Sequence, residues 1–160
     1  MTNDNQYIPC FHFKVSFINF EKVDIEARFS EVSGLQMEME TEEIRGGGEN
    51  HYVYRLPKGA KNTNLTLKRA LHTLPSNIVK WAENAIYNYE FSLHDIVVSL
   101  LNEKSQPVKS WIFVDAYPVK IHLTDLNANV NSLVIETLEL TYKYSQSVSL
   151  KPFEEKRERK

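Results

Sequence analysis

The chain has 160 residues, 42% of them apolar and 25% charged, with 19 basic against 21 acidic side chains for a net charge of −2. That is enough for one domain with a core of its own, and it excludes wholesale disorder, a collagen-like fibre and a disulfide-stapled miniprotein. The near balance of charge excludes an overall basic field that would hold nucleic acid without sequence preference, and the single cysteine, Cys10, permits neither an internal disulfide nor a cysteine-built zinc site.

The first ten residues, MTNDNQYIPC, have no basic n-region and no apolar h-region, so they do not read as a signal peptide. The apolar runs fall far short of the roughly 20 residues a membrane helix needs. Period two dominates instead. Phe11-His12-Phe13-Lys14-Val15-Ser16-Phe17 alternates without a fault and predicts a half-buried strand with three phenylalanines and a valine on one face. Leu35-Gln36-Met37-Glu38-Met39-Glu40 alternates too, with Met37 and Met39 suited to a packed side. Tyr52-Val53-Tyr54-Arg55-Leu56 predicts a strand that stops at Pro57, and Asn64-Leu65-Thr66-Leu67-Lys68 predicts another.

Residues 74–86 break the pattern. Ile78, Trp81, Ala82, Ala85 and Ile86 recur at helical spacing, with Thr73 as N-cap and Pro75 in the first turn, where its missing N–H costs nothing. The apolar stripe Ile78, Trp81, Ala85 and Ile86 should pack on the sheets, with Asn77, Lys80, Glu83 and Asn84 facing outward. Beyond it, residues 95–101 and 108–116 read as a hairpin around the polar turn 102–107. Residues 119–123 follow Pro118 as a further strand, and 132–144 is the last strong segment. The count is about eight strands and one short helix. Residues 1–152 form the domain, and 153–160 read as a charged, frayed tail.

Chemistry is hard to place on this chain. Gly46-Gly47-Gly48 is followed by Glu49-Asn50-His51, not by the Lys-Ser/Thr of a phosphate cradle, so it reads as a contact-making loop. His12, His51, His72, His94 and His122 show no metal-ligand spacing, so no metal or cofactor is expected. Cys10 reads as a buried thiol, the serines form no nucleophile elbow, and the Lys68-Arg69 pair reads as a surface pair. Glu38, Glu40 and Glu42 share one side of a strand, about 7 Å apart, where they repel mildly unless hydrated or paired. That side is either a solvated outer face, neutralised by Arg55 or His51, or a wall that must stay wet without gripping polyanions.

A collinear set of motifs now matters. Phe29-Ser30-Glu31-Val32-Ser33-Gly34-Leu35, the acidic strand, Arg45-Gly46-Gly47-Gly48-Glu49-Asn50 and Leu56-Pro57 come first. Asn64-Leu65-Thr66-Leu67-Lys68-Arg69 and a helix bearing Trp81 follow. Leu100-Leu101-Asn102-Glu103, Trp111, Ala116-Tyr117-Pro118-Val119, Asp125-Leu126-Asn127-Ala128 and Glu136-Thr137-Leu138-Glu139-Leu140 complete the set. From about Phe11 to Tyr142 the chain resembles the tube proteins of contractile phage tails and bacterial contractile injection systems. It departs at Lys58, Ala70 and Tyr117, where the family often has glycine, glycine and tryptophan.

The resemblance implies a mainly β fold, two packed antiparallel sheets forming a β-barrel with one flanking helix. It implies a non-enzymatic subunit of hexameric rings stacked into a hollow tube. A contractile sheath, baseplate and spike proteins and a tube terminator are the partners, and DNA or a protein effector passes through without specific binding. Such a particle is assembled in the bacterial cytoplasm, as a phage tail or a related injection device. On this reading Arg45, Gly46, Gly47, Gly48, Glu49 and Asn50 contact a neighbouring subunit, and Glu38, Glu40 and Glu42 line the lumen. The alternatives are a tube-initiator or baseplate subunit, a monomeric ligand-binding barrel and, weakest, a hydrolase.

Overall fold

The computed structural model describes residues 12–20, 23–48, 51–72 and 76–150. Cys10, Phe11, Glu49, Asn50, Thr73, Pro75 and the tail 153–160 thus lie outside the described residues. Among the described residues the order is β1 (Phe13–Phe20), β2 (Val23–Ala27), β3 (Glu31–Ser33), β4 (Glu38–Ile44), β5 (Tyr54–Lys61), β6 (Leu65–Ala70), α1 (Asn77–Asn88), β7 (His94–Leu101), β8 (Pro107–Leu123), β9 (Ile135–Thr141) and β10 (Tyr144–Ser149). All paired strands are antiparallel. These are ten strands where about eight are expected from the pattern. The short β2, β3 and β10 are added, and the two segments divided at Pro118 are one strand.

That strand, β8, organises the fold. Its first part pairs with β7 on one side and β10 on the other, and its last part, residues 117–123, pairs with β9. Between them Asp115 has φ 52°, and Asp95 Oδ1 accepts the Asp115 N–H at 3.0 Å, so the strand turns a corner and carries the chain from one layer into the other. Pro118 does not end it, because the ladder shifts register between Pro118 and Lys120, the kind of bulge that tolerates a residue lacking an N–H. The same holds at Pro57. Thr41 pairs with Pro57 and Glu40 with Gly59, leaving Lys58 as the extra residue, and β5 runs on to Lys61.

The layers are β2-β1-β7-β8-β10 and β8-β9-β6-β3. They do not close into the expected barrel: the path ends at β2 and β3, and no ladder joins these two among the described residues. The bend in β8 folds the sheet over itself, so burial is achieved face to face and needs no closing seam. Val15, Phe17, Ile96, Val98 and Phe113 from one layer meet Leu65, Leu67, Leu138 and Leu140 from the other, with Ile78, Trp81 and Ala82 of α1 in the same core. Each such side chain contributes about 1.5–3 kcal/mol of burial free energy.

The helix starts later than its pattern predicts. Ser76, not Thr73, is the N-cap, and its Oγ accepts the Val79 N–H at 3.4 Å. Ile78, Trp81, Ala82 and Ala85 are buried and Ile86 is half-buried. Trp81 Nε1 donates to the Ser92 carbonyl at 2.9 Å, and its ring meets Phe17 and Phe20 edge-on at 6.0 and 5.6 Å.

Candidate assembly surfaces

β4 and β5 form a separate two-stranded sheet, and every residue of both strands is exposed. An isolated hairpin of this kind is marginally stable in water. Its root is firm. Gly34 has φ 91°, and a Cβ there would overlap the Asn64 carbonyl oxygen, so only glycine lets the chain leave β3 beside the start of β6. Asn62 Nδ2 donates to the Lys143 carbonyl at 3.3 Å on the other side of the root.

The bulge lies on β5, so β4 keeps its alternation. Glu38, Glu40 and Glu42 share one face with Ile44, opposite Lys61, Gly59, Leu56 and Tyr54. Glu38 reaches Lys61 at 3.9 Å. Arg55 is not the partner of this acidic row: it pairs on the other face, its Nε 3.1 Å from Glu43. Met37 and Met39, which suit a packed side, are 74% and 64% exposed. They stay open because the alternation of β4 gives it two unlike faces, and the described residues of this chain cover neither. Arg45, Gly46, Gly47 and Gly48 lie at the exposed tip, and a Cβ at any of the three glycines would meet open space. Tyr52 and Tyr54 pack edge-on at 5.2 Å near the tip. Their hydroxyls are 3.3 Å apart, and that hydrogen bond holds the Tyr52 phenol above its ordinary pKa.

On the far side of the fold, Asn77, Lys80, Glu83 and Asn84 of α1 are all exposed. Lys68 and Arg69 are not a free surface pair. Lys68 Nζ is 2.7 Å from Glu31. Arg69 is largely buried, its Nε 2.7 Å from Glu136 Oε2 and its Nη2 donating to Ser76 Oγ at 2.7 Å, and its guanidinium lies over the Phe29 ring at 5.6 Å. One arginine on β6 thereby fixes β9 and the start of α1. The only sequence signal for this was arginine and glutamate in two strand motifs, and spacing alone does not pair them. Above this ion pair a groove of about 530 Å³ opens between α1 and the sheet, walled by Leu71, His72, Val79, Glu83, Tyr87 and Leu123.

His94 is half-buried against Phe20 and Trp81, with ring centroids 4.8 and 5.4 Å away. Burial lowers its pKa, against smaller opposing effects of the Ile18 backbone and Asp95. Among the described residues no three histidine, cysteine or acidic side chains converge to hold a metal ion, and no helix is long and apolar enough to cross a membrane.

A mainly β two-layered fold with one flanking helix and an uncovered two-stranded arm is the class that the architecture defines. The family follows from comparison: residues 9–146 match the T4-like virus tail tube protein gp19 family, and the chain belongs to it. It is similar to a chain in the cryo-EM structure of the anti-feeding prophage baseplate, at 28% identity and a TM-score of 0.80, covering 93% of this chain and 98% of that one. A chain of the extended sheath–tube complex of the PVC extracellular contractile injection system superposes with a TM-score of 0.76 at 22% identity, over 94% and 99% of the two chains. An Hcp crystal structure shares the fold at 12% identity and a TM-score of 0.51, over 86% and 99%. No curated protein matches.

Proposed function

We propose that this protein is a subunit of the inner tube of a contractile injection system or phage tail, forming hexameric rings that stack around a hollow lumen inside a contractile sheath. The observation that carries this reading is the arm: within a tail tube family, a hairpin exposed on both faces is a surface made for a neighbour. Among the described residues β2, β3 and β10 each keep one unpaired edge, which offers strand pairing between subunits of one ring and would also remove the hazard of open edges. In this reading Arg45, Gly46, Gly47, Gly48, Glu49 and Asn50 join rings. Glu38, Glu40 and Glu42 line the channel as an acidic band that DNA or an acidic effector passes without sticking. The polar side of α1 faces the sheath. Baseplate, spike and terminator proteins meet the ends of the tube, and the particle assembles in the bacterial cytoplasm. Negative-stain microscopy and light scattering of the purified protein test the reading: rings or tubes are expected, and a monomer at every concentration refutes it. Replacing Glu38, Glu40 and Glu42 by lysine should leave assembly intact while polyanions are retained at low salt. Assembled particles that retain none refute the lumen assignment.

A second reading, a tube-initiator or baseplate subunit, is favoured by the 28% identity to a chain of a baseplate structure. It predicts assembly that stops at one ring.

A further inference from the structure

We propose that the groove between α1 and the sheet is the receptor for the β4–β5 arm of a second copy of this chain. The proposal rests on the tube reading and names the contact that would stack one ring on the next. Three observations carry it.

The first is placement. The arm leaves the fold at Gly34 and Lys61, beside Asn64 and the start of β6. The groove lies at the other end of β6, where Arg69, Leu71 and His72 meet Leu123 at the end of β8 and Glu136 near the start of β9. Six residues of strand separate the two ends by roughly 20 Å. Arm and receptor at opposite ends of one subunit make a head-to-tail contact, the kind that repeats along an axis without closing.

The second is shape and polarity. The groove holds about 530 Å³, within the size range of sites that bury most of a drug-sized molecule, so it has room for a few side chains. Leu71, Val79, Tyr87 and Leu123 give it apolar walls, and Leu71, Tyr87 and Leu123 are exposed in the single chain. Toward its tip, beyond Glu42, the arm presents the paired Ile44 and Tyr54, also exposed. Among the described residues no arm residue lines the groove, so within one subunit neither surface covers the other there.

The third is charge. At the groove floor Arg69 and Glu136 neutralise one another, and Glu83, where the polar side of α1 borders the groove, has no ion-pair partner among the described residues. Arg45, at the arm tip, has none either. A tip entering the groove sets the arginine against the glutamate and drives the apolar side chains behind it onto the leucines.

The test uses the full chain. With Cys10→Ser as background, proteins carrying Gly47→Cys and Leu123→Cys are mixed and oxidised mildly. A disulfide-linked heterodimer is expected. A control with Lys104→Cys, in the β7–β8 turn, should not be captured by Gly47→Cys. Separately, Leu123→Arg places an unpaired charge in the apolar contact and should raise the concentration needed for tube growth by about tenfold or more while single rings persist. Leu123 is 45% exposed in the subunit, so the variant should keep the wild-type urea midpoint. Glu83→Arg should weaken stacking, and Arg45→Glu in the same chain should restore it. Wild-type tubes with no Gly47–Leu123 capture, capture of Lys104→Cys as efficient as that of Leu123→Cys, or unchanged tubes from Leu123→Arg overturn the docking proposal and leave the tube reading standing. A wild-type protein that stays monomeric overturns both.

Discussion

The two-layered body and the β4–β5 arm are built from the same alternating pattern, yet they use it differently. In β1 the alternate residues Val15 and Phe17 are fully buried, while Ser16 between them is half-buried and Lys14 before them is exposed. In β4 Glu38, Met39 and Glu40 alternate in the same way, and none is buried. The body spends its apolar faces on its own core, whereas the arm holds them open. Alternation therefore reports that a strand has two unlike faces, and it does not report which molecule will cover the apolar one.

Breaking the body should cost folding stability. The largest effect is expected from Trp81→Ala, which removes a ring packed on Phe17, Phe20 and His94 and leaves the Ser92 carbonyl without its donor. A loss of about 3–5 kcal/mol is expected in urea unfolding, and an unchanged midpoint would show that the ring is not part of the core. Arg69→Ala comes next. It strands Glu136, only 7% exposed, and frees the Ser76 cap. The expected loss is at the lower end of the roughly 3–5 kcal/mol seen when one partner of a buried ion pair is removed. Arg69→Met with Glu136→Leu should recover most of it, and a double variant as unstable as the single would mean that the pair does more than neutralise itself.

The arm should respond in the opposite sense. Gly46→Val with Gly47→Val meets open space in the single chain, so unfolding should move by less than about 0.5 kcal/mol, as at ordinary surface sites. Assembly measured by sedimentation should fall. Assembly unchanged beside an unchanged midpoint would remove the tip from the contact. The smallest effect concerns His94. Burial lowers its folded-state pKa, so the unfolded chain binds its proton more readily. Its contribution is complete above its unfolded pKa of about 6.5 and is lost as pH falls below that value toward the lower folded pKa. The urea midpoint should decline between neutral pH and pH 5, and His94→Gln should flatten that decline. An equal decline in both proteins would assign the effect to other groups.

Much of the body was legible because its signals are local. The faultless alternation around β1, the polar turn between β7 and β8, and the helical spacing of Ile78, Trp81, Ala82 and Ala85 each lie within a dozen residues. What stayed hidden depends on partners distant in sequence. Pro57 and Pro118 look like strand ends until the bulges that accommodate them are seen. Tyr144 to Ser149, a serine-rich edge strand, has too weak an apolar face to stand out. Ser76 takes the cap because Arg69 also holds it. The groove joins residues from β8, β9, α1 and the end of β6, and no short window contains it.

The long strand β8 has a mechanical consequence. Two stacked sheets held only by side chains can slide over one another when a load acts along their plane. Here 17 consecutive residues belong to both sheets in turn, and the Asp95 carboxylate secures the corner. A thrust entering through one layer is handed to the other along covalent bonds, and shear between the layers is resisted by the backbone itself. On the proposed tube reading, in which the subunit is driven lengthwise in a sudden stroke, that continuous strut would keep the body rigid while the arm, rooted at Gly34, stays free to hold a neighbour.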